Sequence, residues 1–155
     1  ADGLADAVAE RPDALIDVAT LTGAARTALG ERYVPVMGDE ELARAITEAG
    51  AAAGETFWHM PMPPELRSQL DSDVADLINA RPANPVGSML VAAHFLKHFV
   101  APRGVAGDAP QVPWAHLDIA GPASNSGNGW GYTPKGATGV TVRTLIGLAE
   151  VLARP

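Results

Sequence analysis

The residues best suited to chemistry lie in two apolar segments that each end in a turn of small residues. Segment 16–24, IDVATLTGA, is typical of a strand that turns at once into a helix, with Thr20, Leu21 and Gly23 at the junction. Such a junction exposes backbone N–H and C=O groups, and glycine lets another chain approach closely. Segment 113–121, PWAHLDIAG, is typical of a buried strand that leads into a loop. Because open α/β sheets bind ligands just past the carboxyl ends of their strands, the two segments indicate a crevice suited to a peptide backbone.

Four histidines raise the question of a metal site. His94 and His98 are four residues apart on a predicted helix, a spacing that lets two imidazoles share an ion, but two histidines on a wetter helix face is the favoured interpretation. His116 and Asp118 alternate along a strand and so share a face, which allows either a two-ligand clasp or a histidine held by a carboxylate. A structural role is favoured there too. His59, between a tryptophan and prolines, is interpreted as a packing or loop residue.

Three further patterns have ordinary explanations. The glycines of GNGWG at 127–131 follow no strand closely and open no helix, so they predict a flexible loop rather than a phosphate-binding one. Asp71, Asp73 and Asp76 lack the glutamate that a calcium loop needs and are interpreted as a solvated loop. No GxSxG elbow is present, which argues against an α/β-hydrolase.

Composition limits the class of protein further. The chain has 155 residues, 47% of them hydrophobic, and a formal net charge of −7, which would repel a nucleic acid. It has no cysteine, so disulfides, thiolate metal sites and a catalytic cysteine are excluded. The apolar stretches near 14–20 and 86–96 fall short of the ~20 residues that span a bilayer, and we expect no membrane partner and a cytoplasmic protein.

The elements that would position these residues follow from the periodicity of apolar residues and from the caps. Segment 14–19 predicts a central strand, and Pro35 places the next strand, 33–37, near a sheet edge. Asp39 and Gly54 bound an amphipathic helix at 40–53. The remaining predictions are helices at 1–10, 23–30, 65–70, 86–100 and 140–153, a strand at 113–120, and loops at 71–86, 101–112 and 121–135. We expect one domain over 1–155, and a chain that opens with Ala1 inside a helix suggests a fragment or a trimmed product.

Five separated segments resemble the leucyl aminopeptidase (cytosol aminopeptidase) family, in the family's order. They are LADAV, IDVATLTGA, WHMPMPP, ADLIN with AAHFLKHF after it, and WAHLDIAG followed by KGATGVTVRTL. The resemblance implies an α/β fold, the C-terminal portion of a three-layer α/β/α catalytic domain with a mixed central sheet. It also implies two divalent cations, Mn or Zn, release of amino-terminal residues such as leucine from short peptides, and a hexamer with interior active sites.

The same resemblance separates substrate binding from metal chemistry. In the family a water or hydroxide that bridges the two metals attacks the scissile carbonyl. The ligands are a lysine, several aspartates and a glutamate, the last of them in an NTDAEGRL motif directly before the LAD helix. This sequence lacks that motif and the upstream ligands. No residue of the chain is therefore assigned as a metal ligand or catalytic base, and we expect the chain alone to bind no cation and to be inactive.

Five positions are carried over as substrate-binding residues by the resemblance. Thr20 and Leu21 match the positions at which the family's loop hydrogen-bonds the substrate backbone, and Gly23 matches one that lines the first side-chain pocket. Ala120 and Ala123 match residues that line this pocket from the other side. Small residues there leave room for a leucine side chain, whose burial would contribute roughly 2 kcal/mol. This interpretation requires the fold to bring Thr20 and Ala120 together.

Two alternatives of other classes stay open. The chain could be a non-catalytic binding or oligomer-assembly module that keeps the fold without the chemistry. It could also be a nucleotide-binding α/β domain, which would need a glycine-rich phosphate turn that the sequence does not contain.

Overall fold

In the computed structural model, which describes residues 1–80, 86–100 and 111–153, the chain forms a mixed four-stranded sheet with helices on both faces. The strands are β1 (Leu15–Ala19), β2 (Tyr33–Gly38), β3 (Thr56–His59) and β4 (Trp114–Asp118), in the order β1-β4-β2-β3. β1 runs parallel to β4 and β2 parallel to β3, whereas β2 and β4 are antiparallel. The helices are α1 (Asp2–Ala9), α2 (Gly23–Leu29), α3 (Glu40–Ala53), a 3₁₀ helix (Pro64–Leu70), α4 (Ser88–Lys97) and α5 (Val142–Leu152).

Two hydrophobic cores lie on opposite faces of the sheet. One joins α1, α2 and α4 to side chains such as Met37 and Trp114. The other joins α3 and α5 to Val36, Phe57 and Leu117. Because neighbouring residues of a strand point to opposite faces, Met37 and Val36 enter different cores. The predicted three-layer α/β/α fold with a mixed sheet is confirmed.

The order of the strands corrects two predictions. β1 was expected to be central, yet among the described strands it pairs only with β4 and lies at an edge. β2 was expected near an edge because of Pro35, yet it lies between β4 and β3. Pro35 is tolerated there because the carbonyl of Val36 accepts from Met60 on the β3 side, 2.8 Å away, so the nitrogen of Pro35 faces β4. The ladder between β2 and β4 begins only at Val36, so no donor is required of Pro35.

Local signals predicted most helix boundaries well. Asp39 caps α3 by accepting from the N–H of Leu42, 2.9 Å away, and Gly54 ends it in the left-handed conformation with φ 72°. The 3₁₀ helix falls where a short helix was predicted, and α4 and α5 lie inside their predicted ranges.

Short strands were missed. Neither β3 nor the two-stranded hairpin of β5 (Ser124–Asn125) and β6 (Gly136–Ala137) was predicted, since each is too short to show a periodic pattern. Residues 71–80 contain no helix or strand, as expected. Parts of the two predicted loops, 81–85 and 101–110, lie outside the described residues.

Candidate functional site

Segments 16–24 and 113–121 both leave the sheet at its same end, where β1 and β4 have their carboxyl ends. β1 and β4 are adjacent and parallel, and Ala19 lies opposite Asp118 at their carboxyl ends. One more backbone hydrogen bond continues the ladder, from the N–H of Ile119 to the carbonyl of Ala19, at 2.8 Å. We refer to residues 20–23 as the first loop and residues 119–123 as the second loop. The expected proximity of Thr20 and Ala120 therefore follows directly from strand pairing.

The carboxylate of Asp118 lies between the two loops. Its Oδ1 accepts from the N–H of Leu21 and from the N–H of Ala120, each at 3.1 Å. Its Oδ2 accepts from the N–H of Thr22 at 3.1 Å and from the hydroxyl of Thr22 at 2.7 Å. Asp118 has an exposed fraction of 0%, so these donors replace water around its charge. Asp118 therefore has the structural role that was favoured over a metal clasp, but both of its oxygens bind the loops and not His116.

The first loop also begins α2. Thr22 is the N-cap, and its hydroxyl oxygen accepts from the N–H of Ala25 at 3.1 Å. Thr20, Leu21 and Gly23 are exposed. Within the described ranges the backbone N–H and carbonyl of Thr20 have no hydrogen-bond partner. These groups are free to bind an extended chain that lies along this edge.

The second loop is fixed by its own contacts. The N–H of Ala123 donates to the carbonyl of Ile119 at 3.0 Å, and the N–H of Thr138 donates to the carbonyl of Ala123 at 3.1 Å. Gly121 packs so closely on Gly30 that a Cβ at this position would lie 2.1 Å from the carbonyl oxygen of Gly30. Ala120 and Ala123 are half-buried. A loop held this way offers a rigid wall.

A cavity of about 510 Å³ opens beside the first loop. Leu21, Gly23 and Ala24 line one side, and Val91 and Phe95 of α4 line the other. Its size lies within the range of pockets for small ligands, about 300–1,000 Å³. Ala120 and Ala123 are not among its lining residues, so the structure places Leu21 and Gly23, but not the second loop, at this cavity.

The histidine of β4 is held by a carboxylate that sequence reasoning did not select. Nδ1 of His116 lies 2.6 Å from Oδ1 of Asp17, and Nε1 of Trp114 donates to Oδ2 of Asp17 at 2.7 Å. His116 is fully buried, and its Nε2 has no partner among the described residues. The signal for this contact was Asp17 itself, a charged residue inside an apolar strand, but its partner is 99 residues away.

Of the remaining histidines, His98 agrees with its prediction, whereas His94 and His59 differ from theirs. His94 is buried with an exposed fraction of 8%, not on a wetter helix face, because its Nε2 donates to the carbonyl of Pro63, 2.9 Å away. Burial lowers the pKa of His94 below its ordinary value of 6.5, although the hydrogen bond to Pro63 opposes this. His98 is exposed and stacks edge-on against Phe99. His59 ends β3 and is exposed, so it is a strand residue rather than a packing or loop residue.

The glycine-rich segment forms a hydrogen-bonded turn. Oδ1 of Asn125 accepts from the N–H of Gly127 at 3.0 Å, and its Nδ2 donates to the carbonyls of Asn128 and Pro134. Arg32 lies over the ring of Trp130, 4.5 Å from its centre. The predicted flexible loop is thus tied at several points by one buried asparagine.

The described residues do not fit a metal ion. In ranges 1–80, 86–100 and 111–153, no three His, Asp or Glu side chains converge as a ligand set. Asp71, Asp73 and Asp76 are exposed, as predicted for a solvated loop. The residues around the two loops are mainly backbone groups and small side chains.

Known proteins resemble this chain over nearly its whole length. A family model described as "Cytosol aminopeptidase family, catalytic domain" matches residues 1–146. A "Probable cytosol aminopeptidase" of Clavibacter michiganensis subsp. michiganensis is 54% identical over 99% of the chain, which spans 31% of that relative's length.

Solved structures give the same result. The bottromycin maturation enzyme BotP superposes with a TM-score of 0.87 at 43% identity, covering 98% of the chain and 32% of BotP. A second BotP structure, in complex with Mn, superposes with a TM-score of 0.86 at 42% identity, covering 99% and 32% of the two chains. A K354E mutant of tomato leucine aminopeptidase gives 0.80 at 37% identity, covering 95% and 26% of the two chains.

Proposed function

The chain belongs to the cytosol aminopeptidase family, and we propose that it is the C-terminal part of the catalytic domain of an enzyme that releases amino-terminal residues, leucine among them, from peptides. The observation that carries the proposal is the family match over the chain together with the two loops that Asp118 holds at one sheet edge. Such an edge is where an α/β sheet binds its ligand.

The proposed role of this chain is substrate binding. Thr20 and Leu21 would bind the substrate backbone, since the peptide groups of Thr20 have no other partner among the described residues. Gly23 would line the pocket for the amino-terminal side chain, and the cavity of about 510 Å³ beside it is large enough for leucine. Ala120 and Ala123 do not line this cavity, and they would instead border the substrate from the second loop, where small residues leave space. Binding through backbone groups would let one site accept many peptide sequences.

We propose that the whole enzyme uses two divalent cations, Mn or Zn, which polarise the scissile carbonyl and activate water when bound. The Mn complex of BotP supports a divalent metal. As the family resemblance implies, the ligands would come from segments that this chain does not include, and the chain alone would be inactive.

Partners and location belong to the same proposal. The substrate would be a peptide, and the enzyme a cytoplasmic homo-oligomer, a hexamer as the family resemblance implies. None of the helices in the described part of the chain is long and apolar enough to cross a bilayer. The excess of acidic residues makes a nucleic acid an unfavourable partner.

Hydrolysis of a leucine anilide with added manganese tests the proposal. We expect no turnover by the 155-residue chain, and turnover by a longer product of the same gene that carries the upstream ligand segments. Substantial turnover by the 155-residue chain would contradict the assignment of the ligands. A longer product that contains those segments and binds manganese, yet hydrolyses no peptide, would favour the assembly module instead.

A further inference from the structure

We propose that Asp118 is a positioning residue of the substrate site, whose carboxylate sets the distance between the first and second loops. This inference rests on the proposed function, because it assigns a task to the walls of that site. Asp118 would not touch the substrate itself. It would act through the amides of Leu21, Thr22 and Ala120.

The geometry shows a single atom that joins both walls. Oδ1 of Asp118 accepts from Leu21 of the first loop and from Ala120 of the second, at the same distance of 3.1 Å. Oδ2 adds two bonds from Thr22. One oxygen accepts an N–H from each loop. If either loop moves away from the other, its hydrogen bond to this shared oxygen becomes weaker.

Little else joins the two loops. The β1–β4 ladder ends with the bond from Ile119 to Ala19. Beyond it, and considering only the residues that the structure describes, no backbone hydrogen bond links residues 20–23 with residues 120–123. Next to the strands, the carboxylate of Asp118 therefore sets the separation of the walls, and farther out Gly121 packs on Gly30 at the end of α2.

Burial makes this bridge specific for a carboxylate. Asp118 is fully buried, and no Lys, Arg or His in the described ranges forms an ion pair with it. Its charge is stabilised by loop donors alone, which are stronger partners for an ionised than for a neutral oxygen. Asp118→Asn keeps the shape but replaces one acceptor oxygen with an NH₂ group, which cannot accept from a backbone N–H.

Glu55 provides a matched control. It is also a buried carboxylate, and it accepts from the N–H of Thr141, the N–H of Thr144 and the hydroxyl of Thr144. These partners form the start of α5 and belong to neither loop. Glu55→Gln therefore removes an acceptor from a helix start, together with an ion pair to Arg143 at 3.6 Å, without altering the bridge between the walls.

The experiment compares kcat, KM and melting temperature of the longer, manganese-loaded enzyme and its variants with a leucine anilide. For Asp118→Asn we expect KM to rise about ten-fold or more while kcat changes less than about three-fold, since the walls bind substrate in ground and transition state alike. For Glu55→Gln we expect a lower melting temperature with KM and kcat unchanged. A purely structural role of Asp118 would lower the melting temperature in both variants without moving KM in either.

The outcomes separate the two proposals. If the wild-type enzyme hydrolyses the anilide but Asp118→Asn has the KM of Glu55→Gln, the positioning role is overturned and the proposed function stands. If the wild-type enzyme shows no turnover, both are overturned. Should Asp118→Asn not fold, Thr22→Val takes its place: it removes the shortest of the three bonds that hold the first loop on Asp118, and with it the cap bond from the N–H of Ala25. Asp39→Ala, which removes the corresponding cap of α3 away from the walls, is its control, and equal KM values in these two variants would contradict the inference.

Discussion

Three buried or half-buried carboxylates each satisfy several donors, which explains why this acidic chain keeps them inside. Asp118 accepts hydrogen bonds from both loops, and Asp17 accepts them from Trp114 and His116. Glu55 accepts them from the start of α5. Leaving a buried donor without its acceptor costs about 1–3 kcal/mol. At the scale of single residues, these three carboxylates therefore fix backbone and side-chain donors in place.

His94 predicts a pH dependence of stability. Its pKa is lowered by burial and, after the opposing hydrogen bond to Pro63, further by Lys97 and Arg67, while Glu65 raises it. Below its ordinary pKa of 6.5 the unfolded chain therefore takes up a proton on His94 that the folded chain does not. The free energy of unfolding should fall as the pH drops through this value, and should level off only below the pKa of the folded state.

The measurement is urea unfolding between about pH 5 and 8, with His94→Gln as the control. Glutamine can also donate to Pro63 but does not titrate, so the difference in slope between the two proteins isolates His94. Equal slopes in both proteins would show that His94 is not the group responsible.

At the scale of elements, the α3 cap is the clearest local device. Asp39 accepts from the N–H of Leu42, and Asp39→Ala should lower the free energy of unfolding by about 1 kcal/mol, because the donor loses its acceptor. Asp39→Ser keeps a cap oxygen and should lose much less. Chemical denaturation of the three proteins checks this, and equal losses in Ala and Ser variants would contradict a capping role.

At the scale of the whole molecule, the open edge of β1 has consequences for solubility. β1 pairs on one side only among the described strands, and Val18 on it is 37% exposed. An unguarded edge with an apolar side chain is a template for pairing with another chain. We expect the isolated chain to self-associate as its concentration rises, and Val18→Lys to reduce this association.

Sedimentation velocity over a range of concentrations measures the effect. Val142→Lys is the matched control, because Val142 is 55% exposed but lies on α5 rather than on a strand edge. If both lysine variants reduced association equally, exposed apolar area in general, and not the edge of β1, would be responsible.

The amino-acid sequence by itself determined what depends on neighbouring residues. The cap at Asp39 and the stop at Gly54 bound α3 because both act within one helical turn. The apolar run of β4 predicted a fully buried strand, which is confirmed. The order of the motifs was also sufficient to identify the family, because motifs can be recognised without knowing which strands pair.

Only the tertiary structure decided what depends on distant residues. The edge position of β1 and the inner position of β2 follow from pairing with β4, whose register no local pattern encodes. Asp118 meets Leu21 across 97 residues, and Glu55 meets Thr144 across 89. Such contacts form because the sheet must bury its faces and satisfy every donor at once, a condition set by the whole fold rather than by any segment of it.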